Sequence, residues 1–305
     1  MEITSKRHLY KFYLTLLLVN ILFIGMGTIF LSASIRDNNN IGYYIFFIIV
    51  AIAIFMNFVF IKNSPKIVLV TKGLHFKNNF YSWDNLSSTE LTGKSNLFLT
   101  PTECATITFK DLKSIRIFDD LYSNSAEMKC FIQEIVIDKK DTFKIPNRNI
   151  NLNNIDNEFF IPYKGNPIFS FRGILMWGLI LAIILLPLFS KKTINIKGLL
   201  FLIPLCVFWF ILNSWMMHYF EISKNFFIVK NHYYFWKKDI YSISDIKEIV
   251  FESQPKQANK LRIITKDFKT KFYLSGSLTD KNWLEMKKEL ENKNIIVRNE
   301  CIPEN

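Results

Sequence analysis

"FYSWDNL", Phe80 to Leu86, returns as "IYSISDI", Ile240 to Ile246. The flanks extend the match. "ITFKDLKSIRIF" (Ile107 to Phe118) aligns with "IITKDFKTKFYL" (Ile263 to Leu274), which places Lys110, Asp111 and Lys113 on Lys266, Asp267 and Lys269. Upstream, "VTKGLHFKN" lies opposite "ISKNFFIVKN"; downstream, "SAEMKCFIQEIVI" lies opposite "NWLEMKKELENKNIIV". Landmarks in the same order in both halves imply an internal tandem duplication, with small loop insertions between the copies.

A pair of apolar segments precedes each copy. Residues Phe12 to Ile35 and Ile41 to Ile61 carry no charge, and neither do Gly173 to Ser190 and Gly198 to Met217. A helix needs roughly 20 apolar residues to cross about 30 Å of hydrocarbon. The pattern therefore predicts four transmembrane helices in two hairpins. An even number of spans puts the N-terminus and both polar regions on one side. The basic flank residues Lys6, Arg7, Lys11, Lys62, Lys66 and Arg172 favour the cytoplasm for that side. Lys191, Lys192 and Lys197 oppose this orientation. A cleaved leader is disfavoured, because the first apolar run exceeds the usual h-region of about 7–15 residues. Within the spans Asn20, Asn57 and Asn213 are the most polar residues, and their expected role is to tie helices together. Gly25 and Gly27 are expected to permit close helix approach.

The polar regions read as mixed α+β. Short runs such as "KIVLV", "LHFK", "ATITF" and "KSIRIF" are rich in β-branched and aromatic residues and are separated by turn formers. In "FYSW", strand alternation puts Tyr81 and Trp83 on one face and Phe80 and Ser82 on the other. The "KD" dipeptides are expected in hairpin turns. Met128, Phe131, Ile132 and Ile135 make one apolar helical stripe, as do Trp283, Met286 and Leu290. Asn124 with Glu127 resembles a capping box, and Thr279 is the expected N-cap of the second helix. Each helix must pack on something, and the open end of a small curved sheet is the economical choice.

Strands, then "YSWDNL" or "YSISDI", then a strand pair and a C-terminal helix, all after a membrane hairpin, resemble the bacterial membrane proteins with pleckstrin-homology-like (PH-like) domains. In that group a Trp-Asp-x-Ile type motif marks the strand entering the middle of the domain. Trp83, Asp84 and Leu86 match it; Ile243, Ser244 and Ile246 match only in shape. The resemblance implies transmembrane hairpin 1 at 1–65, PH-like domain 1 at 66–137, a linker at 138–170, hairpin 2 at 171–218 and PH-like domain 2 at 219–305. Each domain would be a curved antiparallel sheet with a C-terminal helix.

Composition narrows the function. The net charge is +12, but much of the excess flanks the apolar segments, and neither polar region has the concentrated basic face of a nucleic-acid binder. Cys104, Cys130, Cys206 and Cys301 are scattered, without a CxxC or a secretory framework. His8, His75, His218 and His232 pair with no Cys or carboxylate at metal-ligand spacing. His218 and Tyr219 read as the interfacial end of the fourth span, beside Trp215. Asp119-Asp120 reads as a helix entry. No nucleotide-binding, nucleophile-elbow or zinc-protease motif is present, so no enzyme activity and no cofactor are expected. Abundant Asn, Lys, Ile and Phe suit an AT-rich bacterial genome.

The most unusual local feature is "NHYYFWKKD", Asn231 to Asp239. Tyr233, Tyr234, Trp236, Lys237 and Lys238 are the candidate contacts to a partner or to the membrane surface. The expected role is a non-catalytic scaffold or sensor in the bacterial inner membrane. Its domains would bind protein partners, by strand addition or through aromatic anchors. An anionic-lipid sensor and a small transporter or channel are the alternatives, and a homo-oligomer is left open.

Overall fold

A computed structural model describes residues 1–97, 100–110, 114–144, 155–189, 196–253 and 257–303, with backbone alone described at 100, 186–189, 196–199 and 201. The chain divides into two compact units, Met1–Pro146 and Asn147–Asn305.

In the first unit, β1 (Glu2–Thr4) precedes one π-type turn (Leu9–Leu14) and helices α1 (Thr15–Arg36) and α2 (Ile41–Asn63). Strands β2 (Ile67–Val70), β3 (Gly73–Phe76) and β4 (Asn79–Ser82) follow, then β5 (Leu86–Glu90), β6 (Lys94–Leu97), β7 (Thr100–Phe109), β8 (Ile115–Phe118) and α3 (Ser125–Phe131). One sheet has the order β1-β2-β3-β4. In the other, β7 pairs with β5, β6 and β8.

The second unit repeats this plan. It comprises β9 (Ile161–Tyr163), α4 (Phe171–Phe189), α5 (Ile196–Trp215), β10 (His218–Ile222), β11 (Phe226–Asn231), β12 (Lys238–Ser242), β13 (Ile246–Glu252), β14 (Lys260–Thr265), β15 (Thr270–Leu274), α6 (Asp280–Asn292) and β16 (Ile296–Asn299). Its sheets have the orders β9-β10-β11-β12 and β15-β14-β13-β16. The copies differ at the margins: β6 belongs to the first, and β16, parallel to β13, to the second.

The repeated stretch is the corner between the two sheets of each unit. A short 3-10 turn occupies Trp83–Asn85 in one copy and Ile243–Asp245 in the other. On one side Trp83 N donates to Lys72 O and Ile243 N to Asn225 O. On the other, Lys110 N donates to Asn85 O and Lys266 N to Asp245 O. The corner thus binds the first hairpin of one sheet to the second hairpin of the other. Strand alternation stops at Ser82, whose Oγ accepts from Asp84 N and caps the turn. Trp83 then folds beside Tyr81 onto Phe109, at 5.9 and 5.4 Å between ring centroids.

Two helical segments among the described residues, Leu9–Arg36 and Ile41–Asn63, are long and apolar enough to cross a membrane. Four were expected. The apolar helices of the second pair are shorter where described, Phe171–Leu185 and Leu202–Trp215. Lys191 and Lys192 lie outside the described residues, as do Asp111 and Lys113, and the side chain of Lys197 is not described.

The first hairpin is also an insertion within a sheet rather than a leader to one. β1 lies before it and β2 after it, paired antiparallel as Glu2↔Val70, Ile3↔Leu69 and Thr4↔Val68. β9 and β10 do the same in the second unit, where Phe220 pairs Tyr163 and Ile222 pairs Ile161. The stretch 138–170, read from sequence as a linker, therefore contains a sheet strand, and the sheet of the first copy begins ahead of residue 66. Within that stretch only 145–154 lies outside the described residues.

Both C-terminal helices bury the faces that their spacing predicts. Met128, Phe131 and Ile132 are buried in the first, where α3 continues as a π-helical turn over Ile132–Ile137 and Ile135 is only half-buried; Trp283, Met286 and Leu290 are buried in the second. Trp283 meets Phe251 edge-on at 4.7 Å in a core that also holds Phe220, Phe227, Ile249 and Ile263. Thr279 caps α6 in a capping box with Asn282. Asn124 does not cap α3. Its amide instead accepts from Lys6 N at 2.8 Å and donates to Thr4 O at 2.9 Å, extending the edge contact of β1. A side-chain amide carries the same donor and acceptor pair as a peptide, so it can stand in for a strand.

Candidate functional site

The sequence candidates cluster around the connection between β11 and β12, His232 to Lys237. The connection is held from inside by Asn231, which is 2% exposed. Its Oδ1 accepts from Tyr233 N at 2.9 Å and Tyr234 N at 3.0 Å, and its Nδ2 donates to Ser214 O at the end of α5 at 2.9 Å. An Asn side chain that binds the backbone two and three residues ahead imposes a tight turn.

The tyrosines are spent on positioning. Tyr233 Oη accepts from Trp177 Nε1 of α4 at 2.9 Å and donates to Pro167 O at 3.2 Å. Its ring also packs at 5.4 Å from Phe210 of α5. Tyr234 Oη donates to Ile211 O of α5 at 3.1 Å. Both rings are half-buried, so they fix the loop to the helical hairpin rather than face outward. The exposed tip is Phe235, 85% accessible, and Trp236, 69% accessible. Lys237 and Lys238 follow, both exposed. Phe235 is absent from the sequence candidates, yet it is the most exposed ring of the loop.

Beneath the loop lie a buried histidine, His218, and a half-buried one, His232. His218 Nδ1 shares a hydrogen bond with Leu274 O at 2.9 Å, and His232 Nε2 shares one with Ser277 Oγ at 3.2 Å. Burial lowers the pKa of both, and His232 is pushed down to about 4, with Lys164 and His218 adding to the effect. His218 and Tyr219 stand in β10, not at a helix end. Next to them Tyr273 donates to Asp239 Oδ2 at 3.1 Å and meets Tyr241 hydroxyl to hydroxyl at 2.5 Å. Burial pushes Tyr241 up to about 12 and raises Tyr273 further. Neutral phenols and neutral imidazoles in this layer are structural partners at neutral pH.

The flank residues divide by role. Arg7 donates to Ser64 O at 3.0 and 2.9 Å and lies 5.1 Å over the Phe12 ring, clamping the two legs of the first hairpin together. Tyr122 Oη donates to Pro65 O at 2.6 Å beside it. Lys11 pairs with Asp120 at 2.6 Å. Asp119, expected at a helix entry, is buried against Lys129 Nζ at 2.6 Å. Lys6, Lys62 and Lys66 are exposed. Arg172, in the first turn of α4, is half-buried, with Nη1 3.5 Å from Asn213 Oδ1. In the second unit the chain leading to α4 passes so close to the β15–α6 connection that a Cβ at Gly165 would fall 1.6 Å from Ser277 O.

One cleft in the second unit, about 300 Å³, is lined by Tyr241, Asp245, Thr265, Asp267, Lys269 and Lys271 among others. Its lysines are paired, Lys269 with Asp267 at 2.9 Å and Lys271 with Asp239 at 2.8 Å. Among the described residues no three His, Cys, Asp or Glu side chains come together as metal ligands. No protein-family model matches the chain, and no curated protein matches it.

Proposed function

We propose that this chain is a non-catalytic, membrane-anchored scaffold that presents two PH-like domains to protein partners at the membrane surface. The observation that supports it most is the insertion of each apolar hairpin between two neighbouring strands of a sheet. Both legs of a hairpin leave the same sheet edge, so a domain built this way has a fixed height and tilt over the bilayer. Such a connection suits presentation better than release.

The apolar surface supports membrane insertion of both hairpins. Leu17, Ile21, Ile48 and Phe55 of the first, and Ile174, Leu181, Ile203 and Phe208 of the second, are exposed. Exposed apolar surface on this scale needs a lipid or protein cover. The polar spans argue against a conduit. Asn20 and Asn57 spend their amides on each other and on their own helices. Exposed Lys6, Lys62 and Lys66 support a cytoplasmic side for the N-terminus and both domains.

The partner surface is the free edge of each first sheet. Among the described residues β4 pairs only with β3, and β12 only with β11. Phe80 stands on the β4 edge, 50% exposed. An extended peptide added there would gain backbone hydrogen bonds and an aromatic anchor. A photo-crosslinking residue in place of Phe80, in native membranes, should give one discrete protein adduct that the same residue at Lys139 does not. Adducts of lipid alone would refute the scaffold reading. A reporter at Asn39 should face away from the cytoplasm, and a cytoplasmic Asn39 would reverse the orientation.

A further inference from the structure

The two copies close the same β-hairpin differently. In the first unit β3 and β4 are joined by Lys77 and Asn78 alone, with Lys77 at φ 56° and Phe76 paired to Asn79. In the second unit the equivalent β11 and β12 are joined by the aromatic loop from His232 to Lys237. The fold therefore closes this hairpin without such a loop. The added residues do not fill the core either, because Phe235 and Trp236 at the tip are exposed.

The loop also has a definite place along the second hairpin. Tyr233 touches Trp177, six residues past the start of α4, and Tyr234 reaches Ile211, four residues before the end of α5. At 1.5 Å per residue, the loop climbs about 6–9 Å along the helices from the sheet. That rise is comparable to the polar interfacial layer on one side of a bilayer, roughly 5–8 Å. Lys237 and Lys238 follow the loop tip, and Arg172 stands in the first turn of α4. None of the three has an acidic partner among the described residues, and the adjacent Asp239 is taken by Lys271 and Tyr273.

We propose that the loop tip and these three cations form a seat for the anionic phospholipid headgroups of the membrane that holds the second hairpin. Trp236 enters the interface at headgroup depth, where its amphipathic ring is favoured, with the apolar ring of Phe235 beside it, and Lys237, Lys238 and Arg172 meet the phosphates. The occupant is the bilayer because the rim continues the exposed apolar surface of α4 and α5 and its charge is unpaired. The proposal rests on the reading that the second hairpin lies in the membrane.

The test uses the full chain, with Cys206 and Cys301 replaced by Ala, in vesicles of phosphatidylcholine with or without phosphatidylglycerol. A nitroxide is placed by Leu181→Cys on α4 or by Trp236→Cys in the loop; Cys104 and Cys130 are buried and are not labelled. Oxygen should relax the 181 label, and an aqueous nickel complex should not. The 236 label should lose nickel accessibility when phosphatidylglycerol is added. Lys237→Gln with Lys238→Gln should reduce that lipid dependence about tenfold at low salt, and adding Arg172→Gln should remove it. A 236 label that stays aqueous, or ignores phosphatidylglycerol, while the 181 label is in lipid would overturn the seat and leave the hairpin reading intact. An aqueous 181 label would overturn both.

Discussion

Asn20 and Asn57 face each other across the first hairpin and exchange two hydrogen bonds, 3.0 Å from Asn20 Nδ2 to Asn57 Oδ1 and 2.8 Å in return. Each amide also donates to the carbonyl one turn back on its own helix, Leu16 O at 2.7 Å and Ala53 O at 2.8 Å. Both amide groups are therefore satisfied without water. Replacing either Asn by Leu strands the other. Either single variant should lose about 0.6–2 kcal/mol of stability in detergent, and the double variant should lose less than the sum. Additive losses would show that the pair is not coupled.

Gly42 decides how closely α1 and α2 approach. A Cβ there would lie 2.4 Å from Phe30 O and 2.6 Å from Ser34 Cβ, whereas at Gly25 it would meet nothing within 4 Å. Gly42→Ala should lower the thermal midpoint in detergent by the equivalent of about 1–3 kcal/mol. Gly25→Ala should be neutral or raise it, by up to about 1 kcal/mol through helix propensity. The opposite ranking would contradict the packing.

Glu252 is 2% exposed and binds Arg262 Nε at 2.7 Å and Lys260 Nζ at 2.9 Å. Burial alone would raise its pKa, but the two cations override it and hold the carboxyl at about 2, against an ordinary 4.5. A depressed carboxylate stabilises the fold above its unfolded value. That contribution should fade as pH falls from about 4.5 to 2. Glu252→Gln should cost about 3–5 kcal/mol at neutral pH, since it leaves Arg262 and Lys260 with an uncharged partner, and should flatten the acid limb of a denaturation profile.

His232 acts in a higher window. Its folded pKa of about 4 lies below the ordinary 6.5, so the unfolded chain binds the proton first and stability falls as pH drops from 6.5 towards 4. His218 is shifted the same way by burial and adds to the slope. His232→Asn should reduce the slope between pH 6.5 and 4 without changing the profile above pH 7, as read by thermal unfolding.

Much of the architecture was legible from letters alone, because it rests on local periodicity. The stripes Met128-Phe131-Ile132 and Trp283-Met286-Leu290, the cap at Thr279 and the charge-free first hairpin are statements about residues a few positions apart. The chain matches itself in order, so the repeated plan was visible as well. Other features could not be read this way. β1 is three residues long and β9 contains a proline; neither has a pattern of its own. Each becomes a strand only because β2 or β10 lies beside it after a hairpin has turned the chain back. Asn124 looked like a cap because an amide at that spacing caps many helices, yet its partners, Thr4 and Lys6, are far away in sequence. The aromatic run Asn231 to Asp239 announced itself by composition. Only tertiary packing decided that Tyr233 and Tyr234 turn inward to the helices and that Phe235 and Trp236 are left outside. Sequence thus determined what depends on a side chain and its near neighbours, while partner choice across long separations was settled by which backbone and amide groups the fold brought within hydrogen-bonding reach.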